Sequence, residues 1–287
     1  MELDMILNPG KYFMKGKMGY KVEDNPAFDR VRKTLVAYNM PTKLFDENLA
    51  KLEMVEEHSS LKPNTIGYVL GSYDPKKNKI YAPEDNKDLI HEVFHMASNK
   101  RDDTANMGVL EYGRGQSLNE GITDMFSYFS TLYESPENKY EVRYPVEKLM
   151  AEFLGSLYGM KIFKHQFMCD SKGFMNEFGV DKDRVSVIIG ELDTYTKLKN
   201  DFINLKEIDF DELASAFVNA MGGFIDLASS KNPAFGNIYF ELIRSMLRQP
   251  YESVESTKKL LEISNFGSID NILDVIASHS FGESSHL

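Results

Sequence analysis

LIHEVFHMAS, residues 89–98, sets two histidines four positions apart, with a glutamate after the first, inside an otherwise apolar run. Asn86 makes a good N-cap, Asp88 suits the positive end of a helix dipole, and Lys100 and Arg101 suit the negative end. Together these signals predict a helix over 87–100 with His91, Glu92 and His95 near its middle. Residues at i and i+4 lie one turn apart on the same face, so two imidazoles can meet one metal at about 2 Å from each nitrogen. Glu92 lies about 100° round from His91, where its carboxylate reaches a water on the metal without being a ligand. Leu89, Ile90, Val93, Phe94, Met96 and Ala97 fill the other positions, so the helix is apolar nearly all round and should be buried. An ionisable cluster buried there is costly unless something such as a metal satisfies it. The stretch therefore reads as a zinc site rather than a chance polar notch.

A catalytic zinc usually takes three protein ligands and keeps one position open. The candidate third ligand is Glu120, in QSLNEGITDMF (116–126). Ser117 and Glu120 also form an S-x-x-E capping box, in which the glutamate bonds the backbone of Ser117 instead. Both readings start a helix here. Asp124, four residues on and on the same face, favours the ligand role, because a zinc-bound histidine normally donates its other N–H to a carboxylate. Gly121 fits as well, since a residue without a side chain lets this helix approach the His91–His95 helix closely.

HEVFH followed 25 residues after His95 by NEGITD resembles the gluzincin metallopeptidases, and the second element is similar to the N-E-x-x-S-D run of the thermolysin-like branch. Asn119, Glu120 and Asp124 match that run, and Thr123 stands where the branch often has Ser. The resemblance covers residues 65–135. It implies His91, His95 and Glu120 on Zn2+, Glu92 as general base and Asp124 behind His91. It also implies an upstream antiparallel sheet whose edge strand holds the substrate backbone. Thermolysin-like enzymes place an oxyanion-stabilising tyrosine between the two zinc elements; Tyr112 occupies about that place, with Arg114 a second option, and a surface loop is the plainer reading of both. The family's later histidine donor has no identifiable match, since nothing singles out His165 or His279. The G-x-M-E-N motif of the gluzincin aminopeptidases is missing, which points to internal cleavage. The short region before the helix departs from thermolysin's large N-terminal sheet.

Outward from this core, the pattern predicts helices at 27–38 and 45–57, broken at Asn39, Met40 and Pro41. A β-hairpin follows, with strands at 65–73 and 79–82 about a turn at 74–78, and Pro83 suits the second strand to an edge position. Helices are predicted near 87–100, 118–134, 145–166, 182–199, 209–228, 236–248, 253–263 and 268–279. The lysine- and aromatic-rich stretch 11–21 reads as a solvated loop or short hairpin. The expected fold is α+β and predominantly helical, zincin-like, with a small antiparallel sheet before the active-site helix. Its parts are an N-terminal helical region (1–64), a catalytic core (65–135) and a helical C-terminal subdomain (136–287).

The chain has 287 residues, 42% hydrophobic and 27% charged, with a net charge of −11. That charge argues against nucleic acid as a partner, since phosphate binding needs a basic footprint. The single cysteine, Cys169, excludes an internal disulfide. No stretch approaches a membrane span, the greasy segment 146–163 being broken by Glu147, Lys148, Glu152 and Lys161. MELDMILNPG does not read as a signal peptide, and the expected location is cytoplasmic. The expected partner is a peptide or protein substrate; oligomeric state is not legible.

The function expected from these parts is a zinc-dependent peptidase, in which Glu92 takes the proton of a zinc-activated water that attacks a peptide carbonyl. One rival is a catalytically silent or regulatory zincin-fold binding protein, which fits the long helical half, although such proteins commonly lose the glutamate of H-E-x-x-H. Another is a structural zinc site, which would usually use cysteines, and Cys169 lies 74 residues past His95. A metallohydrolase acting on a non-peptide amide is a further rival.

Overall fold

In a computed structural model the protein is described at residues 25–52, 55–57, 71–82, 86–100, 107–109, 114–132, 134, 140–249 and 252–281. The first helix among the described residues, α1 (Pro26–Ala37), is capped by the Asn25 side chain, which accepts from the Ala27 N–H. It ends where Asn39 turns to positive φ, at the break expected around Pro41. Helix α2 (Lys43–Leu49) is shorter than the sequence pattern implied. Residues 55–57 form a strand, β1 (Val55–Glu57), instead of a helical turn: pairing with a neighbour outweighs local propensity.

The hairpin is present as β2 (Ser72–Asp74) and β3 (Lys79–Ala82), antiparallel with Tyr73 opposite Ile80. Residues 65–70 of its expected first strand lie outside the described residues. Asp74 accepts from the Lys76 and Lys77 N–H groups, and Asn78 takes the positive φ that closes the turn. The sheet is mixed rather than purely antiparallel, because β1 pairs parallel to β3. The order β1-β3-β2 puts β3 in the middle, so the strand before Pro83 is not an edge strand; among the described residues β2 is.

Helix α3 (Asn86–Ala97) crosses behind this sheet and is buried from Leu89 through its end, the all-round burial its composition called for. Its C-terminal carbonyls are satisfied from α2: the Asn48 amide donates to Met96 O at 2.8 Å and to Asn99 O at 2.7 Å. Helix α4 (Gln116–Ser130) packs on α3 and, more extensively, on α5 (Pro145–Tyr158). The helix expected over 145–166 breaks at Gly159, whose φ of 86° no helix accepts, and continues as a 3₁₀ segment, Met160–Met168. A short helix, α6 (Ser171–Asn176), precedes the helical half.

That half comprises α7 (Lys182–Ile203), α8 (Phe210–Lys231), α9 (Pro233–Leu247), α10 (Glu252–Ile263) and α11 (Ile269–Phe281). Helix α8 is its centre, packed against the other four and capped by Asp209, which accepts from the Asp211 and Glu212 N–H groups. Buried apolar residues from Ala27 to Ile276 form one continuous cluster. The architecture is α+β and mainly helical. Among the described residues no helix is long and apolar enough to cross a membrane.

Candidate metal centre

The two histidines of α3 and Glu120, in the second turn of α4, converge. Glu120 Oε2 lies 3.2 Å from His91 Nε2 and 3.2 Å from His95 Nε2, and the two nitrogens are 2.9 Å apart. Ligand atoms of a tetrahedral zinc with bonds of about 2.0–2.1 Å stand about 3.3 Å from one another, so this triangle is close to one face of that tetrahedron. The donor set, two imidazoles and a carboxylate, suits a divalent first-row metal. The three residues can hold a metal ion, and both histidines are buried while Glu120 is 15% exposed at its side chain, which leaves one side of the triangle approachable.

Glu120 reaches this position because it is not capping its own helix. The N-cap of α4 is Gly115, at φ 85°, and makes no side-chain cap. The first-turn donors go to Asp193 of α7: Ser117 N–H to Oδ1 at 2.9 Å, the Ser117 hydroxyl to the same oxygen at 2.5 Å, and Gly115 N–H to Oδ2 at 2.7 Å. Of the two readings of S-x-x-E, the local box is therefore not made. Gly121 does allow a close approach, but to α5 rather than α3: a Cβ there would stand 2.2 Å from Glu147 O.

Behind His91, Asp124 is fully buried with Oδ1 3.0 Å from Nδ1. Its other oxygen accepts from Arg143 N at 2.8 Å and Tyr144 N at 2.7 Å, and the Tyr140 hydroxyl donates to Oδ1 while lying 2.8 Å from His91 Nδ1. This carboxylate–tyrosine pair fixes Nδ1 as the protonated nitrogen and aims Nε2 at the triangle. Behind His95, Nδ1 lies 3.4 Å from both Asn119 Nδ2 and Thr123 Oγ1. Asn119 is held by Gln166, whose amide donates to Asn119 Oδ1 at 2.6 Å and accepts from Val109 N at 3.0 Å, so Thr123 is the acceptor left for a His95 Nδ1–H.

The charges of this group are strongly coupled. Burial pulls the His91 imidazolium down, but the hydrogen bonds it donates to Asp124 and Glu120 outweigh it and hold the ring up to about 10. Burial pushes the Glu120 carboxyl up, yet the charge of His95 and the hydrogen bonds of both histidines bring it well below the usual carboxylate range. Glu92 goes the other way: burial raises its carboxyl against the opposing charges of His91 and His95. It sits beside the sheet, where the Tyr73 backbone N–H donates to it and Gly71 leaves it room. A Cβ at Gly71 would lie 2.9 Å from Glu92 Cγ.

Comparison with known protein families, curated proteins and solved structures returns no match. The site therefore stands on its own geometry.

Of the residues singled out in the sequence, His91, Glu92, His95, Asn119, Glu120 and Asp124 come together. Tyr112 lies outside the described residues, as does the stretch 11–21. Arg114 is exposed and, among the described residues, makes no hydrogen bond or ion pair to the cluster. His165 lies elsewhere, bridging Asp170 (3.0 Å) and Glu177 (3.3 Å). Sequence reasoning missed Tyr140 and Tyr144, whose rings stack on His91 at 6.0 and 6.1 Å between centroids. No spacing rule could have found them, because they enter from the connector before α5. The Glu120 charge, then burial, pushes the Tyr144 phenol well above its ordinary value, so it stays a donor.

Proposed function

We propose that the protein is a zinc-dependent peptidase with a gluzincin-type zincin site, hydrolysing internal peptide bonds. The observation that carries this reading is the convergence of His91 Nε2, His95 Nε2 and Glu120 Oε2 on one point, with a further carboxylate, Glu92, adjacent and not among the three. Beyond an acid such as Asp124 that orients a ligand, a structural zinc site has no use for a buried carboxylate; a hydrolytic one does.

When bound, zinc supplies Lewis acidity, lowering the pKa of a water to roughly 7 and polarising a carbonyl. Glu92 moves the proton. Its carboxylate takes it from the attacking water and returns it to the departing amine nitrogen. A raised carboxyl pKa suits a group that must hold the proton between those steps, and the Tyr73 N–H and Gly71 fix where the carboxylate stands. Asp124 and Tyr140 hold the His91 ring in its ligating tautomer. Tyr144, half-buried with its ring stacked on His91 and its phenol kept protonated beside Glu120, is our candidate donor to the oxyanion as it forms, a role that the sequence pattern offered to Tyr112 or Arg114. Strand β2, which is at the edge of the sheet among the described residues and whose Tyr73 N–H donates to Glu92, suits an extended substrate backbone.

The test is cleavage of a mixed peptide library, with products mapped by mass spectrometry, by wild type and Glu92→Gln. Wild type should cut internal bonds, and the variant should keep zinc while losing at least about 100-fold in rate. Equal cleavage by a zinc-loaded Glu92→Gln protein refutes the assignment. No cleavage by zinc-loaded wild type leaves a zinc-binding protein without turnover.

A further inference from the structure

Glu120 carries two incompatible instructions in the sequence: cap α4 from its own first turn, or face the histidines. The structure resolves the conflict with a residue from the far half of the chain. Asp193 takes the Ser117 N–H, the Ser117 hydroxyl and the Gly115 N–H with its two carboxylate oxygens. The Ser117 N–H is the donor that a capping box would give to the Glu120 carboxylate. An anion at the N-terminus of α4 also satisfies the helix dipole, which would otherwise favour Glu120 turning back.

We propose that Asp193 is a positioning residue for Glu120: it caps α4 from outside and so leaves the Glu120 carboxylate to the metal. The inference rests on the zinc reading of the site. It ties completion of the site to the docking of α7, because the same face of α7 carries two further anchors. Thr196 and Lys199 both donate to the buried Glu147 of α5, at 2.8 and 2.6 Å. Asp193, Thr196 and Lys199 follow one another at helical spacing, so one face of α7 clamps the start of α4 and the first turn of α5 together. Remove Asp193, and the Ser117 N–H is orphaned one turn before Glu120, at the spacing a capping box bridges.

The experiment compares wild type, Asp193→Ala and Asp193→Asn as full-length folded proteins. Zinc affinity is read by competition with a chromophoric chelator, and coordination by the visible absorption of the Co2+-substituted protein. Asp193→Ala should bind zinc at least about tenfold more weakly, and its Co2+ spectrum should change as a carboxylate ligand is lost. Asp193→Asn keeps an oxygen for Ser117 and should fall between the two. Asp181→Asn, a substitution distant from the site, should leave affinity and spectrum at wild-type values even where it lowers stability. Asp193→Ala with wild-type affinity and an unchanged Co2+ spectrum overturns the proposal while leaving the metal site intact. Should Asp193→Ala not fold, Asp193→Asn decides by the same criterion. Failure of wild type to take up either metal overturns the zinc reading itself.

Discussion

Gly121 is the point where α4 touches the backbone of α5, and replacing it tests the packing that holds Glu120 in place. A Cβ added there would lie 2.2 Å from Glu147 O, 2.4 Å from Glu147 C and 3.1 Å from Lys148 N. Carbon contacts with such atoms normally sit at about 3.5 Å, so the helices must separate by roughly an ångström. All three obstacles are backbone, and no rotamer change relieves them. Overpacking costs about 1–3 kcal/mol in ordinary cores, and a backbone clash this close belongs at or beyond the top of that range. Alanine returns about 1 kcal/mol of helix propensity. The net expectation for Gly121→Ala is a loss of about 2–3 kcal/mol, or roughly 4–8 °C in Tm. Gly190→Ala makes the same exchange inside α7, where a Cβ meets nothing within 4 Å. It should be neutral or stabilising by up to about 1 kcal/mol. Thermal and urea unfolding followed by far-ultraviolet circular dichroism read both. A Gly121→Ala protein as stable as wild type would refute the reasoning, because α4 and α5 could not then be in contact through residue 121.

Two further outcomes follow from buried and half-buried charges. Glu147 is fully buried, bonded at Oε1 by Lys199 and Thr196, and its Oε2 has no hydrogen-bond partner among the described residues. Lys199→Met should therefore cost about 3–5 kcal/mol by urea unfolding, and Lys199→Met with Glu147→Gln should recover most of it; equal losses in the single and double variants would contradict this account of the pair. Asp181 ties the end of α5 to that of α8, accepting from Lys231 Nζ at 2.7 Å and the Tyr158 hydroxyl at 2.9 Å. Lys231 first, despite burial, and then Tyr158 depress its carboxyl pKa. A depressed acid contributes fully above its unfolded value, near 4, and loses that contribution as pH falls through the folded value. The stability gap between wild type and Asp181→Asn should thus be open at pH 6 and close below about pH 4; a gap independent of pH would contradict it.

What was legible in the sequence was local. The i,i+4 histidines, their apolar surroundings and the S-x-x-E-x-x-x-D run sit within single helices, and each helix appears close to its expected limits. What was not legible was the chain's use of distant residues. Nothing near Glu120 foretells that Asp193 will do its capping, nor does any periodicity place Tyr140 between His91 and Asp124. Gly121 was rightly read as a close approach but assigned to the wrong neighbour, since a bare glycine says that something comes near and not what. The run 45–57 failed as a helix because β1 gains a partner in β3 that no local window contains. Gly159 was the overlooked signal in 145–166: its positive φ ends α5 where hydrophobic periodicity alone runs on.

The most direct test of the central claim is metal content by elemental analysis of purified, zinc-reconstituted protein, with wild type beside Glu120→Ala and Glu92→Gln. The account expects close to one zinc per chain in wild type and Glu92→Gln and sharply less in Glu120→Ala. Wild type without zinc, or Glu120→Ala with a full complement, would contradict it.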